Sequence, residues 1–171
     1  MRYVAFLRGI NVGANNRITM QDLRAMFEAF GFKNVTTHIQ SGNVLFDCDI
    51  KSSRAVEQLI ENRVLVGKNS ISVMVRSAKE MKKIVAGHPF PGDLAPDTDY
   101  LVTFLSERPD EVIFPDPMPI GGHVARVDDL EVYTYSEPVE GRHEYPSFKT
   151  KPKVQTTTRN WRVIQAIAGI L

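Results

Sequence analysis

Arginine, asparagine and glycine are concentrated in one short segment, RGINVGANNR, which directly follows an apolar run near the N-terminus. Its candidate ligand-binding residues are Arg8, Asn11, Gly13, Asn15 and Arg17. Backbone amides around a glycine, together with amide and guanidinium side chains, are groups that hold an anion or another polar ligand. Asparagines also tolerate the left-handed backbone of tight turns, so the alternative is a purely structural loop. The segment matches neither the P-loop nor the dinucleotide-binding glycine pattern.

A second polar set lies in an alternating stretch around Ser41 and Gly42, which predicts a β-hairpin with these two residues as its loop. In that register Ile39 lies opposite Val44, and the other face is shared by Thr36, His38, Gln40 and Asn43. The candidate binding residues here are His38, Gln40, Ser41 and Asn43. A histidine has the pKa of a general base, but no carboxylate is adjacent in sequence, which favours a packed strand histidine at a subdomain interface.

The third set is Thr158, Arg159 and Asn160, within the C-terminal sequence TTTRNW. We predict that one of the threonines caps a last helix, whose apolar stripe consists of Trp161, Ile164 and Ile167. The N–H groups at the start of a helix, with a neighbouring arginine, hold phosphate or carboxylate. The alternative is an ordinary capped helix that docks through its tryptophan.

Other side chains give little sign of chemistry. Cys48 is the only cysteine, so no internal disulfide is predicted, and its neighbours Asp47 and Asp49 disfavour the reactive thiolate. No Cys/His set has zinc-ligand spacing and no Ser/His/Asp arrangement stands out, so we expect no metal and no cofactor and assign no reaction. Three lysines spaced by two form either one face of an extended arm or a solvated loop: Lys149, Lys151 and Lys153.

The first half of the chain must position the first two sets. The pattern predicts a strand, a helix, two strands, a helix and a strand, an order typical of the ferredoxin-like split βαβ arrangement. Thr19 and Asp22 form a capping box for the first helix, and Gly31 ends it. The second helix is expected from Ser53 to about Val66, with Val64 continuing its apolar spacing and Gly67 ending it. The predicted strands are Tyr3–Arg8, Val35–Gln40, Asn43–Asp47 and Ile71–Val75.

The second half repeats this theme. A capping box of Ser77 and Glu80 opens a helix, and YLVTFL at Tyr100 echoes YVAFL at Tyr3. We expect a short helix near Asp110, and then a hairpin, a long loop and the last helix. The predicted class is therefore α+β, with two similar ferredoxin-like (βαββαβ-type) subdomains from an internal duplication, packed together. Their ranges are 1–76 and 77–171.

Composition and charge set the outer limits. The 171 residues are 43% hydrophobic and 24% charged, and no apolar run approaches the ~18 residues of a spanning helix, so we expect a cytoplasmic protein outside the membrane. Residues 1–92 carry thirteen basic and seven acidic side chains, residues 93–141 two and twelve, and residues 142–171 six and one. The two basic regions either form a patch for an anionic partner or pair with the acidic middle.

Three motifs, RGINVGANNRITMQDLRAMFEAFGF, HIQSGNVLFD and TTTRNW, resemble the bacterial family known as domain of unknown function 1697. The resemblance spans nearly the whole chain and implies two related α+β subdomains packed against each other. It implies no activity, cofactor or catalytic residue. Similar proteins tend to have a further helix before the last motif, whereas Pro146 and Pro152 favour an extended loop here.

These observations favour a module that binds a small polar or anionic ligand between its subdomains. The alternatives are an RNA-binding domain and a protein-interaction domain without catalysis. Nucleic acid is the weaker alternative, because an RNA-recognition sheet needs exposed aromatic residues on its central strands and residues 40–47 do not match the aromatic consensus.

Overall fold

The computed structural model describes residues 1–12, 16–38, 42–67, 69–92 and 97–171. They form a mixed α+β fold with antiparallel sheets, divided into one compact unit of residues 1–85 with 167–171 and another of residues 86–166. In chain order the elements are β1 (Arg2–Leu7), α1 (Met20–Ala29), β2 (Lys33–His38), β3 (Asn43–Asp47), α2 (Ser53–Glu61), β4 (Leu65–Val66), β5 (Asn69–Ser70), β6 (Val73–Ser77), α3 (Ala78–Ala86), β7 (Asp99–Leu105), β8 (Glu111–Ile113), β9 (Gly122–Val127), β10 (Glu131–Ser136), β11 (Lys149–Lys151), β12 (Thr156–Asn160) and α4 (Trp161–Ile170).

A four-stranded antiparallel sheet with the order β2-β3-β1-β6 organises the first unit. One of its faces packs on the apolar sides of α1 and α2. Phe46 is the centre of this core: its ring lies 4.4 Å from Phe32, 5.5 Å from Phe27 and 5.9 Å from Tyr3. None of the Phe46 side chain is exposed.

The predicted signals for the first and third helices are confirmed. The Thr19 hydroxyl accepts a hydrogen bond from the Asp22 N–H at 3.0 Å, and Gly31 follows the helix with a φ of 91°. The Ser77 hydroxyl likewise accepts from the Glu80 N–H at 3.3 Å and opens α3. Local side-chain caps are therefore enough to place both helix starts.

The second helix is shorter than predicted, because it ends at Glu61 rather than near Val66. Val64 is fully buried in the first core, and the chain leaves the helix to place it there. Gly67, predicted to end the helix, instead has a φ of 63° between the short strands β4 and β5. The helical spacing of Val64 therefore reflects its burial in the core and not membership of the helix.

The predicted two-residue hairpin loop is wrong. His38 lies opposite Asn43 and Thr37 opposite Val44, so residues 39–42 separate the paired strands. The shift is two residues, which equals the side-chain period of a strand, and the predicted sharing of one face by Thr36, His38 and Asn43 is therefore retained. Ile39 and Gln40 lie outside the described residues.

The second unit has a sheet of the order β12-β7-β10-β9, again antiparallel throughout. The predicted short helix near Asp110 is wrong: this segment forms strand β8, which pairs with β11. Lys149 and Lys151 are exposed on β11, and the Lys151 ammonium lies 3.4 Å from a Glu111 carboxylate oxygen. This lysine therefore has an acidic cross-strand partner.

The predicted threonine cap of the last helix is also wrong. The three threonines belong to β12, because alternate β-branched residues pair well with β7, and the helix begins at Trp161. Asn160 performs the capping, since its side-chain oxygen accepts from the Arg162 N–H at 2.9 Å. The predicted apolar stripe is confirmed, with three buried residues: Trp161, Ile164 and Ile167.

Strand β6 is an edge of the first sheet, and carboxylates cover its outward amides. Such an edge otherwise invites pairing with another chain. The three outward N–H groups each donate to a glutamate: Val73 to Glu61 Oε1 (3.1 Å), Val75 to Glu57 Oε2 (2.9 Å) and Ser77 to Glu80 Oε2 (2.6 Å). We call Glu57, Glu61 and Glu80 the edge glutamates.

Two edge glutamates have pKa values shifted in opposite directions. Burial raises the pKa of Glu57, and hydrogen bonds from the Val75 N–H and from Arg54 offset only part of that effect. Burial also acts to raise the pKa of Glu80, but hydrogen bonds from Ser53 and Ser77 outweigh it and lower the pKa below the ordinary value of 4.5. Ionised Glu80 thus stabilises the folded state, whereas ionisation of Glu57 carries a cost.

We expect Glu80→Gln to lose stability relative to the wild type as pH rises from acidic to neutral. The contribution of Glu80 is fully present above the unfolded pKa and disappears as pH falls through the lower folded pKa. Glu57→Gln should show the opposite trend, since its raised folded pKa makes the wild-type carboxyl costly at neutral pH. Urea denaturation across this pH range measures both trends, and parallel curves for the two variants would contradict the assignment.

Candidate functional site

The loop that follows β1 is held together by its own asparagines. The Asn11 side chain bonds both backbone groups of Ile18: its Nδ2 donates to the Ile18 carbonyl at 3.0 Å, and its Oδ1 accepts from the Ile18 N–H at 2.9 Å. The Asn11 N–H donates to the Asn16 carbonyl at 3.0 Å. Asn11 and Asn16 have φ values of 56° and 52°, which asparagine tolerates. Asn11 is therefore used to shape the loop.

Two further contacts fix this loop to the first unit. Asn69 Nδ2 donates to Asn16 Oδ1 at 2.7 Å, and Asn16 Nδ2 donates to the Gly9 carbonyl at 3.3 Å. Ile10 is 4% exposed and belongs to the first core. Asn16 and Asn69 are not among the site residues predicted from the sequence. A run of adjacent asparagines was the available signal for the first, whereas the second is a long-range partner with no local signal.

A surface depression of about 440 Å³ lies between this loop and the start of α1. Its described lining consists of Asn11, Arg17, Ile18, Thr19 and Met20. A neighbouring depression of about 360 Å³ shares most of these residues and adds Asp22. Of the predicted candidates, the structure thus brings Asn11 and Arg17 to one concave surface.

Arg17 is the one cationic side chain among the described residues that line this depression. Its side chain is exposed, and no hydrogen bond or ion pair joins it to the described part of the chain. The nearby helix start is already occupied, because the Thr19 hydroxyl donates to an Asp22 carboxylate oxygen at 2.7 Å. The positive end of α1 is therefore partly neutralised, and the guanidinium is the main group that attracts an anion.

Arg8 stands at the other foot of the loop. Its N–H donates to the Ser72 carbonyl at 2.9 Å, at the end of the β1–β6 ladder, and the residue is exposed. The two predicted arginines therefore flank the loop. The candidates Gly13, Asn15, Gln40 and Ser41 lie outside the described residues.

The hairpin turn contacts the loop through Gly42. The Leu7 N–H donates to the Gly42 carbonyl at 2.8 Å, and a Cβ on Gly42 would lie 2.8 Å from the Ile10 side chain. Gly42 also has a φ of 73°, which disfavours any other residue. Two of the three predicted segments thus meet in the first unit.

We expect Gly42→Ala to destabilise the protein more than Gly9→Ala. Both glycines have positive φ, at 73° and 66°, so each substitution should cost about 1–2 kcal/mol for the left-handed backbone. Only at Gly42 does the new Cβ also meet Ile10, which adds about 1–3 kcal/mol of overpacking, whereas no atom of the described residues lies within 4 Å of a Cβ on Gly9. Thermal unfolding of the two variants measures the difference, and equal losses would contradict the close approach.

His38 and Asn43 form a cross-strand pair on the hairpin. Asn43 is fully buried, and its Nδ2 donates to the His38 carbonyl at 3.1 Å. The His38 Nε2 atom is buried and has no hydrogen-bond partner among the described residues. No carboxylate in that part of the chain orients the ring, so the geometry gives His38 no support as a general base.

Thr158, Arg159 and Asn160 belong to the second unit, where they continue β12 rather than open a helix. Thr158 and Thr103 hydroxyls share a hydrogen bond of 2.8 Å across the β12–β7 pair. Arg159 Nη1 donates to the Thr157 hydroxyl at 2.7 Å and to the Thr158 carbonyl at 2.8 Å. Burial lowers the pKa of Arg159 to about 10. This arginine is thus bound to its own strand.

The described residues contain no group of three or more histidine, cysteine, aspartate or glutamate residues placed to hold a metal ion. They also contain no helix that is both long enough and apolar enough to span a membrane.

Comparison with known proteins places this loop and sheet in a family. Residues 1–118 match the family model described as protein of unknown function DUF1697, which is more than half of the chain. The chain belongs to the DUF1697 family. The family resemblance noted in the sequence is therefore confirmed, and the DUF1697 match includes the whole loop, the first hairpin and α1, whereas the motif TTTRNW lies beyond the matched residues.

A solved structure supports the fold of this DUF1697 protein. The chain is similar to the conserved bacterial protein SP0830 from Streptococcus pneumoniae, with 18% sequence identity and a TM-score of 0.67. The similarity covers 99% of this chain and 97% of that one. No curated protein matches the chain. At this identity the likeness shows the fold alone.

Proposed function

We propose that this protein binds a small polar or anionic ligand in the depression between the loop after β1 and the start of α1. The observation that carries the proposal is the exposed guanidinium of Arg17, which has no partner in the described part of the chain and lies on a concave surface. The volume of about 440 Å³ is in the range of small-molecule sites. A phosphate or carboxylate group suits a planar guanidinium.

The loop is built to present this group with little rearrangement. The paired hydrogen bonds between Asn11 and Ile18, with those of Asn16, hold the described part of the rim in place before any ligand arrives. A preorganised site loses less conformational entropy on binding. The asparagines therefore support the site, and the ligand contacts come from Arg17 and from polar groups near Thr19.

A thermal-shift screen tests the proposal with sugar phosphates, nucleotides and small carboxylic acids. A compound at one hundred times its Kd should stabilise the wild type by about 2.7 kcal/mol. Arg17→Gln should abolish the shift. Arg24→Gln is the matched control, because Arg24 is an exposed arginine on α1 that does not line the depression. Equal shifts in both variants would contradict the assignment of Arg17.

A second candidate, binding of single-stranded RNA, has one favourable observation in the second unit. Tyr135 on the central strand β10 lies opposite both Tyr100 on β7 and His123 on β9. Its ring is 6.2 Å from Tyr100 and 4.7 Å from His123, in a row of half-buried aromatic side chains. Such rows stack on bases. The acidic residues 93–141 oppose a polyanion, which ranks this function second.

Fluorescence anisotropy with a labelled oligonucleotide tests this second candidate. Tyr135→Leu should weaken binding at least fivefold, because stacking of one base contributes about 1–3 kcal/mol. Tyr135→Phe retains the ring and should bind as the wild type does. Absence of binding even at low salt would exclude the candidate.

We also propose that the two units are related to each other by an internal duplication. Each unit has a central strand, β1 or β7, whose neighbours occupy equivalent positions, and in each a helix follows the last strand of the sheet. This shared order supports two ferredoxin-like subdomains that arose by internal duplication. In the second unit, the paired strands β8 and β11 occupy the two connections that contain α1 and α2 in the first unit.

A further inference from the structure

The two sheets differ at their equivalent edge strands. Helix α2 lies along β6, and the edge glutamates accept hydrogen bonds from the outward N–H groups of β6. Strand β12 has the corresponding place in the second sheet. Among the described residues, β7 is the one strand that pairs with β12, and no carboxylate accepts hydrogen bonds from the other edge of β12.

The phase of the ladder identifies the outward groups of β12. The Ser106 N–H donates to the Gln155 carbonyl at 3.0 Å, and in an antiparallel ladder every second residue then points its backbone groups toward the partner strand. Thr156, Thr158 and Asn160 consequently direct their N–H groups away from β7. No described strand or side chain accepts hydrogen bonds from these three N–H groups.

The edge also lacks the usual protection against pairing. It contains no proline and no bulge, Thr158 at its centre is exposed, and Arg159 bonds to the neighbouring hydroxyl and carbonyl of its own strand. Natural sheets block open edges with charges, prolines or bulges. Prolines and bulges are absent along β12, and the guanidinium of its one charged residue, Arg159, is bonded to its own strand, which makes the edge available.

We propose that the open edge of β12 pairs with β12 of a second copy of this chain. In an antiparallel arrangement centred on Thr158, the two Thr158 residues face each other and Thr156 faces Asn160. Both are pairs of outward residues, so they can exchange backbone hydrogen bonds. Arg159 faces Thr157, so no like charges are opposed. This self-complementary register closes a two-fold dimer with one continuous eight-stranded sheet.

The dimer should be weak, since a five-residue edge buries less surface than a standard protein interface. Sedimentation velocity over a wide concentration range measures it. For the wild type we expect the average mass to rise with concentration from 19.3 kDa toward twice that value. A wild type that stays at 19.3 kDa throughout would overturn the proposal.

Two substitutions at Thr158 locate the interface. Thr158→Lys places two ammonium groups opposite each other at the centre of the dimer and should keep the protein monomeric. Thr158→Val is the matched control, because it also removes the hydroxyl bond to Thr103 but adds no charge, and it should still dimerise. Circular dichroism establishes that both variants fold. If Thr158→Lys dimerises as the wild type does, β12 is not the interface.

Discussion

Replacing Phe46 by alanine should cost about 3–5 kcal/mol of unfolding free energy, the typical loss for a large aromatic side chain in a core. The ring is completely buried and lies within 6 Å of three other aromatic rings, so its removal leaves a cavity lined by groups on both the sheet and α1. Phe32, whose stacked ring is 4.4 Å away, loses its closest aromatic neighbour. A loss of this size is a large share of the stability of a typical domain.

Urea denaturation followed by far-ultraviolet circular dichroism measures this loss. Phe46→Leu is the control, since it retains part of the volume and should lose clearly less. Trp161, the single tryptophan, lies in the second unit, so its fluorescence reports on that unit separately. A loss below about 1 kcal/mol for Phe46→Ala would contradict the central place of this ring in the core.

Gly121→Ala should be the most damaging single-methyl change in the second unit. Gly121 has a φ of 75°, and a Cβ there would lie 2.4 Å from the backbone carbonyl oxygen of Glu137. The same turn is held by the Glu137 N–H, which donates to the Gly121 carbonyl at 2.9 Å. The clash is with backbone, so the strand end must move. We expect about 1–2 kcal/mol for the left-handed conformation and about 1–3 kcal/mol more for overpacking.

Gly141→Ala is the matched control for this prediction. Gly141 has nearly the same φ, 74°, but in the described part of the chain no atom lies within 4 Å of the added Cβ. It should therefore lose only the conformational part. Thermal unfolding monitored by Trp161 fluorescence compares the two variants in the unit that contains both glycines. Equal losses would show that the turn relaxes without cost.

Local patterns in the sequence were sufficient to predict features that depend only on residues close together in the chain. Thr19 with Asp22, and Ser77 with Glu80, were read correctly as helix starts because a cap needs only residues three apart. The alternation of apolar and polar residues likewise predicted the two hairpins, β2 with β3 and β9 with β10. The face shared by His38 and Asn43 was also correct, even though the register was shifted by two.

Features that depend on distant partners were beyond local patterns. The threonines before Trp161 have the composition of a cap, but pairing with β7 makes them a strand. Val64 continues the apolar spacing of α2, but it is buried in the core after the helix has ended at Glu61. Tertiary packing overrides local propensity at such positions.

The sequence could not show what each polar side chain of the candidate site binds. The polar loop after the first strand borders a depression, and Asn11 and Arg17 are among its described lining residues. The sequence could not show that Asn11 binds the backbone of Ile18, since an amide side chain suits a ligand and a peptide group equally well. Arg159 was similarly read as a ligand group, whereas its guanidinium bonds to its own strand.

Nuclear magnetic resonance of ¹⁵N-labelled protein, titrated with the phosphate and carboxylate compounds of the screen, tests the binding site most directly. We predict that the compounds that bind shift the amide signals of Asn11, Ile18 and Thr19 most strongly, and that Arg17→Gln removes these shifts. The account is contradicted if none of the compounds moves these signals, or if those that bind perturb another surface and bind Arg17→Gln equally well.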